Sequence, residues 1–262
     1  MITLEKIGFS PVKGFQLQYL PSAYLTTHGL EWDRDFFIFD EEGKAILHGI
    51  SSFLPIKAEY DPELDTLSFT FPDGYVISGS AKPQGDPFVY DHLTIRDIDL
   101  IWLDNELDEA MSDRTGETVR FARVAETGQG VDVYAVSMVS FESVADLSAR
   151  AGKELEPGRF RSTFEISGVD EPYAEESWTG RHMRVGEVEI EILTSVPRCA
   201  ITTLNSVSGK RDHNVVRTLS KFREHVGLPE PYPSFAAAPM AVYAHVLVPG
   251  RITVGDELVF LD

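Results

Sequence analysis

The chain holds a single cysteine, Cys199, in the stretch Ser195-Val196-Pro197-Arg198-Cys199-Ala200-Ile201-Thr202-Thr203. It comes directly after a predicted strand, and Pro197, with no N–H to donate, stops the ladder there. Arg198 sets a positive charge beside the thiol, which favours thiolate. A loop thiolate beside arginine suits a nucleophile or a ligand for a soft metal. A lone cysteine also serves as a small buried apolar side chain. Taken alone, the residue leaves all three roles open. Other chemistry is missing by spacing. The sequence contains no G-x-x-x-x-G-K-[ST] phosphate loop, no H-E-x-x-H, no C-x-x-C and no G-x-S-x-G. Gly128-Gln129-Gly130 lacks a third glycine and a following helix, and reads as a turn. The histidines at 28, 48, 92, 182, 213, 225 and 245 are scattered, each more in keeping with surface or core than with ligation.

Composition narrows the setting. Hydrophobic residues make up 43% and aromatics 11% of 262 residues, enough for a packed core and against disorder. One thiol excludes a disulfide scaffold and fits a reducing compartment. No apolar run approaches the roughly 18 residues of a membrane span. The opening MITLEKIGFS has neither the basic nor the apolar segment of a signal peptide, so a cytoplasmic protein with no membrane partner is expected. Lys+Arg 23 against Asp+Glu 42 gives a net charge of −19, which repels nucleic acid. The charge is uneven. Residues 1–149 carry 10 basic and 26 acidic side chains, whereas residues 150–225, which include Cys199, carry 12 of each. A locally basic stretch in an acidic protein suits a small anion.

The elements that must position these residues are mostly short strands. Strand patterns cover residues 3–9, 56–60, 66–71 and 75–78, and 34–39 with 45–47 form a hairpin around Gly43. Residues 82–88 read as loop and 104–111 as an acidic helix. A strand resumes at Val119. Residues 141–150 form a helix with Ser140 as N-cap and Gly152 as terminator. One strand is expected over 184–193, a helix over 215–226, a loop over 229–239, and closing strands over 243–248 and 251–261. Many strands with two or three helices indicate a β-rich α+β fold, including a barrel.

Several segments, in order, resemble the MOSC domain family, the C-terminal module of molybdenum cofactor sulfurases that also occurs in amidoxime-reducing (mARC) enzymes. Lys13 in Ser10-Pro11-Val12-Lys13-Gly14 is similar to the family's P-[VI]-K-S, and Gly29-Leu30-Glu31-Trp32-Asp33-Arg34 to its G-L-x-x-D-R. Gly158-Arg159-Phe160-Arg161 is similar to its R-F-R-P-N. Residues 173–178 and 184–188 resemble its F-x-E-D-x-W and R-I-G-x-V, and residues 197–203 its C-x-R-C-x-x-T-T. Residues 249–256 resemble its closing strand. The chain departs from the pattern at Gly14, Ser162, Thr163, Val196 and Asn205.

The resemblance implies an N-terminal β-barrel-like domain over 1–100 and a MOSC β-barrel with flanking helices over 101–262. It also implies a molybdenum–molybdopterin cofactor between them. Cys199 is the implied metal ligand and catalytic residue. Lys13, Arg34 and Arg161, with Arg198, are the implied contacts to the pterin phosphate, and Thr202 is a further contact. Ser140 and Ser143 add hydroxyls and N-terminal N–H groups. The implied activity is reduction of N-hydroxylated small molecules by oxygen-atom removal. The alternatives are a cofactor or persulfide carrier using Cys199, and an interaction module without cofactor. One cysteine cannot form a Cys₄ iron–sulfur site, so electrons are expected from a separate ferredoxin- or cytochrome b5-like protein.

Overall fold

The computed structural model describes residues 1–46, 51–92, 94, 96–104, 106–230, 232 and 235–261. Seven strands close a barrel in the order Phe164–Ser167, Val136–Ser140, Pro239–Val248, Val188–Pro197, His182–Val185, Glu257–Phe260 and Ile2–Phe9. The last pairs back to the first, in the register Leu4 opposite Ile166 and Ile7 opposite Phe164. Alternate residues of these strands fill the barrel: Ile190, Ile192, Val242, Ala244, Met138 and Phe164 are all fully buried. One pair, Val136–Ser140 with Phe164–Ser167, is parallel. The helix Phe141–Ala151 lies in the crossover that a parallel pair requires.

Beside the barrel lie a four-stranded sheet (Phe36–Asp40, Val119–Val124, Arg96–Trp102, Phe88–His92) and a three-stranded sheet (Lys57–Asp61, Thr66–Thr70, Val76–Ser80). Between them Phe15, Phe53, Phe69 and Phe121 pack with ring centroids 5.1–6.5 Å apart. Each such ring contributes about 1.5–3 kcal/mol by leaving water. Helix Glu106–Thr115 closes this core with Leu107 and Met111.

The β-rich α+β class and the barrel agree with the sequence reading, but several boundaries differ. Sheet membership does not divide at residue 100. Ile2–Phe9 completes the C-terminal barrel, and Val119–Val124 pairs with Phe36–Asp40 in the other part. The single strand expected over 184–193 is a hairpin. It turns at Gly186, whose φ of +56° disfavours any side chain and whose backbone lies against Arg251. The helix expected over 215–226 ends at Leu219. There the Ser220 N–H and Oγ both donate to Val216 O, and the chain leaves the helix after that last bond. Val226–Gly227 instead pairs with Ala236–Ala237, inside the expected loop, and Pro239 already starts a strand. The closing segment 251–261 is two strands separated by a turn at Gly255. Leu47 of the first hairpin, His48, Asn105 before the acidic helix, and residues 231, 233 and 234 of the loop lie outside the described residues.

Candidate functional site

Strand Val188–Pro197 runs out of the barrel and delivers Arg198 and Cys199 to its rim. Cys199 is the N-cap of a short 3₁₀ turn, Ala200–Thr203, and its thiol is exposed. Thr202 Oγ1 donates to the Cys199 carbonyl at 2.9 Å, which ties the cysteine backbone to the turn. Arg198 is buried and donates to the Phe160 carbonyl, with its guanidinium 5.2 Å from the Phe160 ring.

Cys199 faces a cavity of about 980 Å³ whose lining includes Lys13, Arg34, Asp132, Arg161, Arg198 and Tyr243. The barrel and the two-sheet part both contribute. Lys13, 7% exposed, donates to Asp132 Oδ1 at 2.6 Å, to Gly130 O at 2.8 Å and to His92 Nε2 at 3.0 Å. Burial lowers its pKa against the pull of Asp132. His92 is fully buried, and burial together with the Lys13 charge pushes its pKa down, so the ring is neutral at pH 7. Desolvation alone would raise Asp132, but the charge of Lys13 outweighs it and holds the carboxyl well below its ordinary value. Gly130 makes this approach possible: a Cβ there would stand 1.8 Å from the Arg34 carbonyl.

Arg34 and Arg161 sit opposite one another. Arg34 pairs with buried Asp33, whose Oδ1 accepts the Ser10 N–H at 2.8 Å. Arg34 Nη2 also donates to the Arg161 carbonyl at 2.8 Å. Arg161 Nη1 donates to Phe15 O at 2.8 Å, while its Nη2 is buried without a partner. Burial and the neighbouring Arg34 lower Arg161 to about 10, which leaves it charged at neutral pH. Both arginines have φ in the left-handed region, 59° and 52°. For non-glycine residues that is a strained conformation of the kind that clusters at ligand sites.

Of the side chains singled out in the sequence, Lys13, Arg34, Arg161, Arg198 and Cys199 line this one cavity. Ser140, Ser143 and Thr202 do not. Ser140 and Ser143 are fully buried, and their hydroxyls bond each other at 2.6 Å and the carboxylate of Glu175 at 2.9–3.1 Å. The helix N-terminus is thus capped by its own serine and faces a carboxylate, which leaves no place for a second anion. Thr202 is fully buried within the turn. Sequence reasoning missed Asp132, His92, Tyr243, Lys210 and Arg211. The last two were detectable, since Lys210-Arg211 is the one adjacent pair of cationic residues in the chain.

Among the described residues no group of three or more His, Cys, Asp or Glu side chains is placed to hold a metal ion. A metal at Cys199 would have to arrive with ligands of its own. No described helix is long and apolar enough to cross a membrane.

Comparison with known proteins accords with this geometry. Over 126 residues the chain is 32% identical to Mitochondrial amidoxime-reducing component 1 of Homo sapiens, a stretch that is 47% of this chain and 36% of that protein. Over 129 residues it is 28% identical to Mitochondrial amidoxime reducing component 2 of Rattus norvegicus, covering 48% and 37%. The matched stretch is thus little more than a third of the length of these relatives. A solved structure, the YUAD protein from Bacillus subtilis, aligns over 98% of this chain and 94% of that one at 12% identity and a TM-score of 0.46. The MOSC domain model matches residues 125–259, just over half of the chain and the part that carries Asp132, Arg161, Arg198, Cys199 and Tyr243, so the chain belongs to the MOSC domain family.

Proposed function

We propose that this protein binds a molybdenum–molybdopterin cofactor in the cavity and reduces N-hydroxylated small molecules. The observation that carries the reading is the convergence of one exposed thiol, Cys199, with four cations, Lys13, Arg34, Arg161 and Arg198, around a single cavity. The donor set fits the group. A soft thiolate matches molybdenum, and the buried, unpartnered Arg161 Nη2 is a donor awaiting an anion. Cys199 would be the protein's ligand to the metal. Arg161, Arg34 and Arg198 would hold the pterin phosphate, with Lys13 completing the cationic wall. When bound, the cofactor supplies the two-electron redox chemistry.

The chain's own residues would bind and orient. Overall, N–OH, two electrons and two protons become N–H and water. Burial and the nearby Asp132 raise the Tyr243 phenol above its ordinary value, so its hydroxyl stays protonated and can donate to a substrate oxygen. Asp132, ionised, accepts rather than donates. Electrons would come from a separate redox protein, a ferredoxin or a cytochrome b5 type.

The test is to make the protein in a host that synthesises the cofactor, then measure molybdenum, released pterin and reduction of benzamidoxime with an artificial electron donor. About one molybdenum per chain, with amidoxime reduction, supports the proposal. Metal-free protein from such a host overturns it.

A further inference from the structure

Two cations at the mouth of the cavity are left over once the cofactor contacts are assigned. Lys210 and Arg211 line the same cavity as Cys199, and both are exposed. They sit on a loop that is firmly built. Asn205 Oδ1 accepts from Val207 N at 3.2 Å, Ser208 N at 2.8 Å and Ser208 Oγ at 2.8 Å. Asn205 N donates to Lys210 O at 2.9 Å, and Leu204 bridges to Arg211. Gly209 packs against the Ser51 carbonyl so closely that a Cβ would stand 2.2 Å from it. The loop is therefore seated on the facing two-sheet part.

The acids near these cations are committed elsewhere. Asp212, next in the chain, turns inward to Lys153 at 2.6 Å and Arg159 at 3.2 Å. Glu156 binds Arg159 at 2.8 Å and the backbone N–H of Ser206 at 2.7 Å. Among the described residues neither Lys210 nor Arg211 has an ion pair. Arg211 Nη1 donates to Thr203 Oγ1 at 3.1 Å, which fixes the guanidinium against the very turn that Cys199 caps. In a chain with 42 acidic and 23 basic residues, two uncompensated cations at the entrance to a cavity form a local site of opposite sign.

We infer that Lys210 and Arg211 form a subsite for a carboxylate or phosphate carried by the substrate, so that the compound reduced in this cavity is an anionic N-hydroxylated molecule. The inference rests on the reductase reading and deepens it. The anion would bind at the mouth while the N–OH end reaches toward Cys199.

The experiment compares benzamidoxime with 4-carboxybenzamidoxime on the cofactor-loaded protein, by calorimetric Kd and by KM. The carboxylate should bind about tenfold tighter, the effect of a charge-assisted bond partly exposed to water, and the preference should shrink as ionic strength rises. In the double variant Lys210→Gln, Arg211→Gln the ratio of the two Kd values should fall to about one, with molybdenum and pterin content retained. Equal binding of both compounds by the unaltered protein, or a preference that survives the double variant, overturns the inference. So does loss of pterin in the variant, which would assign the mouth to the cofactor's own anionic end. The binding arm separates the two proposals: absence of turnover on both compounds counts against the reductase, while the Kd ratio still reads the subsite.

Discussion

Arg159 and Arg161 stand two residues apart around one short turn, and they end in opposite electrostatic settings. Arg159 is fully buried and its charge is met by Glu156 at 2.8 Å and Asp212 at 3.2 Å, with the Thr202 carbonyl at 3.1 Å, although its Nε, too, lacks a partner. Among the described residues Arg161 makes no ion pair with a carboxylate. It is held by the Phe15 carbonyl and keeps one buried N–H without a partner. A buried charge closed off by acids serves the fold, because removing either side leaves the other uncompensated. A half-buried charge held by a carbonyl keeps its net field and is free to take an anion. The first anchors the turn below Cys199; the second faces the cavity beside it.

The largest expected effect breaks the cavity without touching the ion pairs of Arg159. If the thiolate is the metal ligand, as proposed, Cys199→Ala should reduce bound molybdenum more than about tenfold, while the thermal midpoint of the cofactor-free protein stays put. Metal analysis and a melt of the two proteins check this.

The arginine pair gives the next test. Arg159→Ala should destabilise by about 3–5 kcal/mol, because Glu156 and Asp212 lose a buried partner. Arg161→Ala should cost about 1 kcal/mol, the worth of its carbonyl bond, and should instead lower pterin retention. Urea titration and pterin release measure the two axes. Equal stability losses would erase the distinction drawn between the two sites.

Asp132→Asn sharpens the comparison from the acidic side. It removes the carboxylate that now holds Lys13 and should raise the affinity of the cofactor-free protein for inorganic phosphate about fivefold, as befits a pair open to the cavity. An unchanged phosphate Kd by calorimetry would place Lys13 outside the anion site.

The smallest effect concerns a pair between the two extremes. Glu176 is bonded to Arg223 and Ser195, yet its Oε1 is buried without a partner. Burial, with Glu175 adding to it against Arg223, raises its pKa to about 7. The native state thus holds a proton that the unfolded chain releases near pH 4.3. This contribution to stability is present below that value and is lost as pH rises through about 7. Glu176→Gln should flatten that part of the pH–stability curve, read from urea midpoints at pH 5 and pH 8.

Much of the fold was legible because its signals are local. Ser140 and Gly152 marked the helix Phe141–Ala151 at both ends, since capping is a short-range hydrogen-bond requirement. The strands about residues 3–9, 56–60, 66–71 and 75–78 followed from alternation and turn residues. The hairpin at Gly186 and the break after Leu219 were missed. An alternating pattern runs unbroken through a tight turn, and the apolar spacing of Leu219, Phe222 and Val226 continues past the residue where this helix stops.

The order of motifs around Lys13, Arg34, Arg161 and Cys199 sufficed to name the family, because those residue types and spacings lie along the chain itself. Which of them share a cavity was decided only by barrel closure, which brings Ile2–Phe9 against Phe164–Ser167 and so sets Lys13 and Arg34 beside Arg161. The same closure put Asp132 on Lys13 and turned Ser140 and Ser143 toward Glu175. Charge pairing depends on distance in space, and a sequence lists charges without saying which of them meet.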